Sequence, residues 1–229
     1  MKILFASSEV APFIKTGGLA DVAGSLPPAL AAAGHEVKVI LPLYEGIGEN
    51  WRTQMTFLKY FNVTLAWRQV YCGIFEIVQN DVTYWFVDNE YYFKRWQLYG
   101  HFDDCERYAY FSRAVLETCG HLDFSPDIIH CNDWQTALVP IYLLEERSRT
   151  HQLANTKSVY TIHNIEYQGR YGSQVLEDVI GLNPGYLAEG MLGYYKDVNL
   201  MKGAIMASNF VTTVSPTYAQ ELRTPFYAH

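Results

Sequence analysis

The chain has 229 residues, 49% hydrophobic and 18% charged, enough for a substantial core yet with no apolar run long enough to span a bilayer. Its formal net charge of -7 argues against a nucleic-acid partner, because phosphate backbones demand clustered basic residues. Cys72, Cys105, Cys119 and Cys131 are too scattered for a zinc ribbon or redox pair. With an N-terminus that enters a strand directly, lacking the pattern of a signal peptide, they predict a reduced, cytoplasmic protein.

Residues 2–8 read as a buried strand, and residues 9–17 as a loop holding Glu9, Pro12 and Lys15. A helix follows from about Gly18 to Ala33, which Pro27-Pro28 should kink or split and which Gly34 ends as a C-cap. A second strand covers Glu36–Pro42, so the order strand, turn, helix, glycine, strand predicts a parallel βαβ unit. Residues 57–61, 63–67, 70–78 and 82–87 are all strand-like, with Asn80-Asp81 marking a hairpin turn between the last two. They read as antiparallel additions, the last strand returning to the parallel sheet.

Residues 103–119 have helical spacing of apolar side chains, and 127–131 form a short buried strand. Asp133-Trp134 opens a further helix through about Glu146, and the strand 157–162 ends in His163-Asn164. A Gly/Tyr-rich loop runs through 190, residues 197–207 look helical, 210–214 read as a strand, and Ser215-Pro216 starts a last helix. The fold class is therefore α/β, a mostly parallel sheet with an antiparallel hairpin insertion.

Polar clusters sit just after predicted parallel strands: Lys15-Thr16-Gly17-Gly18, Asn132-Asp133 and His163-Asn164. A parallel sheet places all strand C-termini along one edge, so these clusters converge although they lie far apart in the chain. Gly17 and Gly18 let a ligand approach the backbone, the start of the helix favours negative charge, and Lys15 adds a full positive charge. A phosphate or a polyhydroxylated sugar fits that chemistry, and so does a plain glycine turn beside a surface lysine. The turn is neither a Walker A loop nor a Gly-x-Gly-x-x-Gly fingerprint. Asp133 is an N-cap or an acceptor for a ligand hydroxyl. Glu9 is a sugar contact or a polar loop residue, and His163 a ligand contact or a structural hydrogen-bonder. His130, inside its strand, reads as structural, and Asn199 and Lys202 fall on a predicted helix whose default is a solvated face. No Asp-x-Asp pair follows a strand, which weakens a metal-dependent sugar transferase, and no Gly-x-Ser-x-Gly elbow points to a serine hydrolase.

Taken together, Lys15-Thr16-Gly17-Gly18-Leu19-Ala20-Asp21-Val22, the opening strand with Glu9, Tyr99-Gly100, the 106–114 helix, Asp127 to Gln135, Thr161 to Gly169, Asn199 to Gly203 and Val211 to Tyr218 resemble the bacterial glycogen synthase and plant starch synthase family along the whole chain. The resemblance implies a GT-B fold, two Rossmann-like domains facing across a cleft. Residues 1–229 would be the N-terminal, acceptor-side domain, and the C-terminal nucleotide-binding domain would be absent. It implies retaining transfer of glucose from ADP-glucose to an α-1,4-glucan, with no metal or other cofactor and no protein nucleophile.

In that family likeness Lys15, Gly17 and Gly18 would lie against the donor diphosphate and glucose. Asp133 would accept from glucose hydroxyls, and His163 would face the glucose with its ring on a hydroxyl and its carbonyl near the anomeric carbon. Asn199 would touch the sugar or the acceptor end, and Glu9, Tyr99, Trp134, Gln135 and Asn164 complete the expected substrate-binding set. The family usually has His where this chain has Gln135, which can hydrogen-bond a hydroxyl but carries no charge. Two rivals remain: another GT-B transferase, such as a relative of sucrose-phosphate synthase, and a non-catalytic glucan-binding module.

Overall fold

The computed structural model describes residues 1–188 and 190–227; Glu189, Ala228 and His229 of the expected 1–229 unit lie outside the described residues. Strand β1 (Lys2–Ala6), helix α1 (Gly18–Ala32) and strand β2 (Glu36–Pro42) form the expected βαβ unit, with parallel register from Lys2↔Glu36 to Ala6↔Ile40. Gly34 follows the helix at φ +89°, and the bond from His35 N–H to the Leu30 carbonyl closes a Schellman-type end. A short helix α2 (Glu49–Arg52) leads into β3 (Thr56–Leu65), β4 (Arg68–Gln79) and β5 (Val82–Asp88). Then come α3 (Glu90–Phe93), α4 (Asp104–His121), β6 (Ile128–Asn132), a 3-10 turn at Trp134–Thr136, α5 (Leu138–Glu146) and β7 (Lys157–Ile162).

The main sheet has the order β11-β7-β6-β1-β2-β5-β4-β3, where β11 is Phe210–Thr213. Six strands from β11 to β5 are parallel, and β4 and β3 add antiparallel pairs at one edge. The chain steps from β1 to β2 in one direction and from β6 to β7 in the other, so the strand order reverses between β1 and β6. Right-handed crossovers then put α1 on one face and α5 on the opposite face, which is why Leu4, Phe5, Val39, Ile129 and Tyr160 are buried on both sides. The Asn80-Asp81 turn has φ of 52° and 61°, the mirror-image geometry that suits a tight hairpin.

Four expectations need correction. Residues 57–61 and 63–65 belong to one strand, because Asn62 simply faces solvent between buried Phe61 and Val63; Ala66, φ 52°, and Trp67 form the turn that follows. Pro27-Pro28 does not split α1. A proline removes a donor without leaving one orphaned, and the helix is tied to the preceding loop by the Ala11 N–H bond to the Ala20 carbonyl. The stretch read as loop through 190 contains β8 (Arg170–Gly172), a single π-turn (Leu176–Ile180) and α6 (Gly185–Ala188). With β9 (Gly193–Tyr194) and β10 (Asp197–Asn199), β8 makes a small antiparallel sheet in the order β8-β10-β9. The segment 197–207 is thus a strand followed by helix α7 (Leu200–Ala207), and the chain closes with β11 and α8 (Pro216–Glu221). Among the described residues no helix is long and apolar enough to cross a membrane.

Candidate functional site

The C-terminal edge of the parallel sheet opens into a cleft of about 1080 Å³, lined by the loops after β1, β6 and β7 and by the segment before α4. It lies where the strand order reverses, the position at which open α/β sheets leave a crevice between diverging loops. Of the residues expected from sequence, Glu9, Gly17, Gly18, Tyr99, Asp133, Trp134, Gln135, His163 and Asn164 line it.

Glu9 organises the first wall. Glu9 is 3% exposed, and its carboxylate accepts from the Thr16 and Gly17 amides, the Thr16 hydroxyl and the Tyr99 hydroxyl. The Gly17 amide, expected to face a bound diphosphate, is therefore taken by an internal carboxylate. The loop folds back on itself through the Val10↔Ile14 bridge and brings Glu9 within reach. Gly17 and Gly18 still offer bare backbone to the cleft, since a Cβ on either would meet nothing within 4 Å.

Tyr99 stands on the segment before α4, and that segment is anchored from below. Asp104 Oδ2 accepts from the Gly100 and His101 amides, and Asp104 Oδ1 meets the guanidinium of fully buried Arg107. Arg107 also donates to the carbonyls of Tyr92 and Leu98, and Arg95 pairs with both carboxylate oxygens of Asp103 at 2.7 Å. Sequence reasoning singles out neither Asp104 nor Arg107. Their signal is an acid in the first turn of a helix with a base one turn later.

Asp133 and His163 form a second wall. Asp133 sits at φ 55°, ψ -177°, a region populated almost only by glycine, and holding another residue there costs about 1–3 kcal/mol. It caps no helix: its Oδ1 accepts from the His163 amide at 2.7 Å and the Asn164 amide at 3.3 Å. Its Oδ2 has no protein partner among the described residues. Burial pushes the Asp133 carboxyl up to about 6, against the pull of those two amides and with the Glu9 charge adding to the rise. The 3-10 turn begins directly after it, in place of the regular helix expected from Asp133-Trp134.

His163 Nε2 lies 2.9 Å from Asn132 Oδ1. Burial brings its imidazole down to about 4, although Glu9 pulls the other way, so the ring is neutral at pH 7. His130 is structural as expected. It bonds Thr161 Oγ1 at 2.6 Å, packs on Phe5, and is likewise held near 4 by burial, with His163 beside it. Trp134 meets Tyr108 edge-on at 5.1 Å, and Gly169, at φ 64°, lies so close that a Cβ there would come within 2.9 Å of the Trp134 ring. Buried Gln135 has an Oε1 without a hydrogen-bond partner among the described residues.

Two expected residues lie apart. Lys15 pairs with Asp21, its Nζ 2.7 Å from both carboxylate oxygens, with about half of each side chain exposed. Asn199 is buried as the N-cap of α7, accepting from the Lys202 amide and donating to Gln168 Oε1, rather than lying on a solvated helix face. Among the described residues no three His, Cys, Asp or Glu side chains gather closely enough to hold a metal ion.

Residues 2–229 match the family model described as the starch synthase catalytic domain. A glycogen synthase of Geobacillus thermodenitrificans (strain NG80-2) is 50% identical over 229 residues, covering 99% of this chain and 47% of the relative. One of Clostridium novyi (strain NT) is 46% identical over 228 residues, covering 99% of this chain and 48% of the relative. Among solved structures, the catalytic domain of starch synthase IV from Arabidopsis thaliana bound to ADP and acarbose matches with a TM-score of 0.88 at 35% identity, covering 98% of this chain and 47% of that one. The chain spans about half the length of the curated relatives it matches.

Proposed function

The chain belongs to the starch synthase catalytic-domain family, and from that premise we propose that its cleft is the acceptor-side half of a site that transfers glucose from ADP-glucose to the non-reducing end of an α-1,4-glucan, with retention at the anomeric carbon. The observation that carries this reading is the division of labour in Asp133. One carboxylate oxygen fixes the backbone of His163, and the other is left to accept a sugar hydroxyl.

In this reading the transition state is oxocarbenium-like, with positive charge on the sugar and negative charge on the departing diphosphate. The His163 carbonyl, free of hydrogen bonds among the described residues, would sit against the anomeric carbon and stabilise the positive charge. The neutral ring would hold a glucose hydroxyl. The bare backbone at Gly18 and the Lys15 ammonium, swung away from Asp21, would meet the diphosphate. The leaving phosphate would take the acceptor's proton on the same face, so no protein nucleophile is required. The ADP and acarbose of the Arabidopsis structure support a nucleotide-plus-glucan pairing for this cleft.

A second Rossmann-like half would supply the remaining donor contacts, so residues 1–229 alone are expected not to turn over. Fused to the remaining half of the Geobacillus relative, the chain is expected to lengthen glycogen with ADP-glucose. A cooperatively folded fusion that transfers from neither ADP-glucose nor UDP-glucose would overturn the proposal, and transfer to fructose 6-phosphate would favour the sucrose-phosphate synthase type instead.

A further inference from the structure

Asn132 ends β6 with its side chain fully buried between two strands. Its Nδ2 donates to the Ala6 carbonyl of β1 at 3.0 Å and lies 3.4 Å from the His130 carbonyl. Turning the amide over would set Oδ1 against two carbonyl oxygens in a buried site, so the orientation is fixed by its surroundings. Oδ1 is then the atom that faces His163 Nε2 at 2.9 Å. A carbonyl oxygen only accepts, so the Nε2 must carry the proton. A neutral imidazole has one proton, and Nδ1 is left with its lone pair. Nδ1 has no protein partner among the described residues, and His163 lines the cleft.

We propose that Asn132 is a positioning residue that locks His163 in the Nε2–H tautomer, so that the ring can meet a ligand hydroxyl only as an acceptor, through Nδ1. The hydroxyl as ligand rests on the reading of the cleft given above, whereas the tautomer does not. The consequence for specificity is chemical. A cleft whose His163 ring accepts and whose Asp133 Oδ2 accepts selects for hydroxyl donors on both sides. A sugar in which the matching hydroxyl is replaced by fluorine, an acceptor at best, would face two lone pairs. The proposal also excludes His163 as an acid or a cationic partner of the diphosphate, since its one proton is committed to Asn132.

The test is a two-bond ¹H–¹⁵N spectrum of the chain labelled at histidine, at pH 7.5, with His163 assigned by comparison with His163→Gln. The expected result is a single His163 species with a protonated Nε2 and a bare Nδ1. A protonated Nδ1 in the unmodified protein overturns the proposal, and this measurement needs no variant of Asn132. In Asn132→Leu the tautomer is expected to become mixed, because neither ring nitrogen then has a partner that favours its proton. An unchanged tautomer in a folded Asn132→Leu would also overturn it. In the fused enzyme, kcat is expected to fall 10-fold or more in Asn132→Leu, with KM for ADP-glucose within 3-fold. A locked tautomer without any transfer would leave the positioning intact and reject the glucosyl-transfer reading alone.

Discussion

Asp133 Oδ1 and the His163 amide are joined at 2.7 Å across the ends of two neighbouring parallel strands. The bond ties the loop after β7 to the loop after β6 within one wall of the cleft. Asp133→Asn keeps an oxygen at Oδ1 and is expected to cost less than about 1 kcal/mol, whereas Asp133→Ala orphans two amides and is expected to cost about 2 kcal/mol. Urea denaturation of both checks this, and equal losses would show that Oδ1 adds no stability. Asp133→Asn is also expected to cut transfer by the fused enzyme on the order of 10²-fold, because Oδ2 is replaced by a donor.

Burial holds both His130 and His163 near 4, below the 6.5 of an unfolded histidine. Between those values the unfolded chain binds more protons. The stability from the neutral rings is full above pH 6.5 and is lost as pH falls toward 4. Asp133, raised to about 6, acts in the opposite sense and destabilises as pH rises through that value. Replacing His130 by Gln is therefore expected to remove about 3 kcal/mol of the acid-side loss between pH 7 and pH 4. Denaturation at the two pH values, with and without the substitution, reads this difference. Parallel pH dependences would reject it.

Gly24 and Gly18 lie on the same helix and should respond oppositely to alanine. A Cβ at Gly24 would sit 2.5 Å from the Ala11 carbonyl oxygen, inside the loop that carries Glu9 to the cleft. Gly24→Ala is expected to lose about 1–3 kcal/mol. Gly18→Ala has room and should gain up to about 1 kcal/mol from helix propensity, while weakening nucleotide-sugar binding by the fused enzyme. Melting curves and titration of ADP-glucose separate the two effects.

Among the described residues, Lys15 makes only an exposed ion pair with Asp21. Lys15→Ala is expected to change stability by less than about 0.5 kcal/mol. If the ammonium meets the diphosphate, the fused enzyme should nevertheless slow by orders of magnitude. Near-normal transfer by a folded Lys15→Ala fusion would remove Lys15 from the proposed site.

Arg107 is the opposite case, fully buried and bonded to Asp104 and to the Tyr92 and Leu98 carbonyls. Arg107→Ala should destabilise by about 3–5 kcal/mol, since it leaves Asp104 and two carbonyls without their partner. Hydrogen exchange at Gly100 and His101 is expected to accelerate first, because Asp104 holds those amides.

The strands of the parallel sheet were legible because each is a short apolar run followed by polar residues, and that same pattern put Asp133 and His163 on one edge. The small sheet of β8, β9 and β10 was not, since strands of two or three residues rich in Gly and Tyr have no measurable period. Asp133 read as a cap because the residue before a helix usually has extended backbone. Its positive φ instead turns the carboxylate toward β7, and no local pattern encodes that. Asn199 read as exposed because helical periodicity says nothing of the small strand β10 that buries the residue at its end. The ring of bonds around Glu9 was hidden for a related reason: its partner Tyr99 is ninety positions away.

That ring has a thermodynamic corollary. Thr16, Gly17 and Tyr99 are already fastened to one carboxylate, so a ligand entering the cleft orders little additional chain on this side. The heat-capacity change of binding should then scale with the apolar area the ligand itself covers, free of the larger signature of a loop that folds on contact.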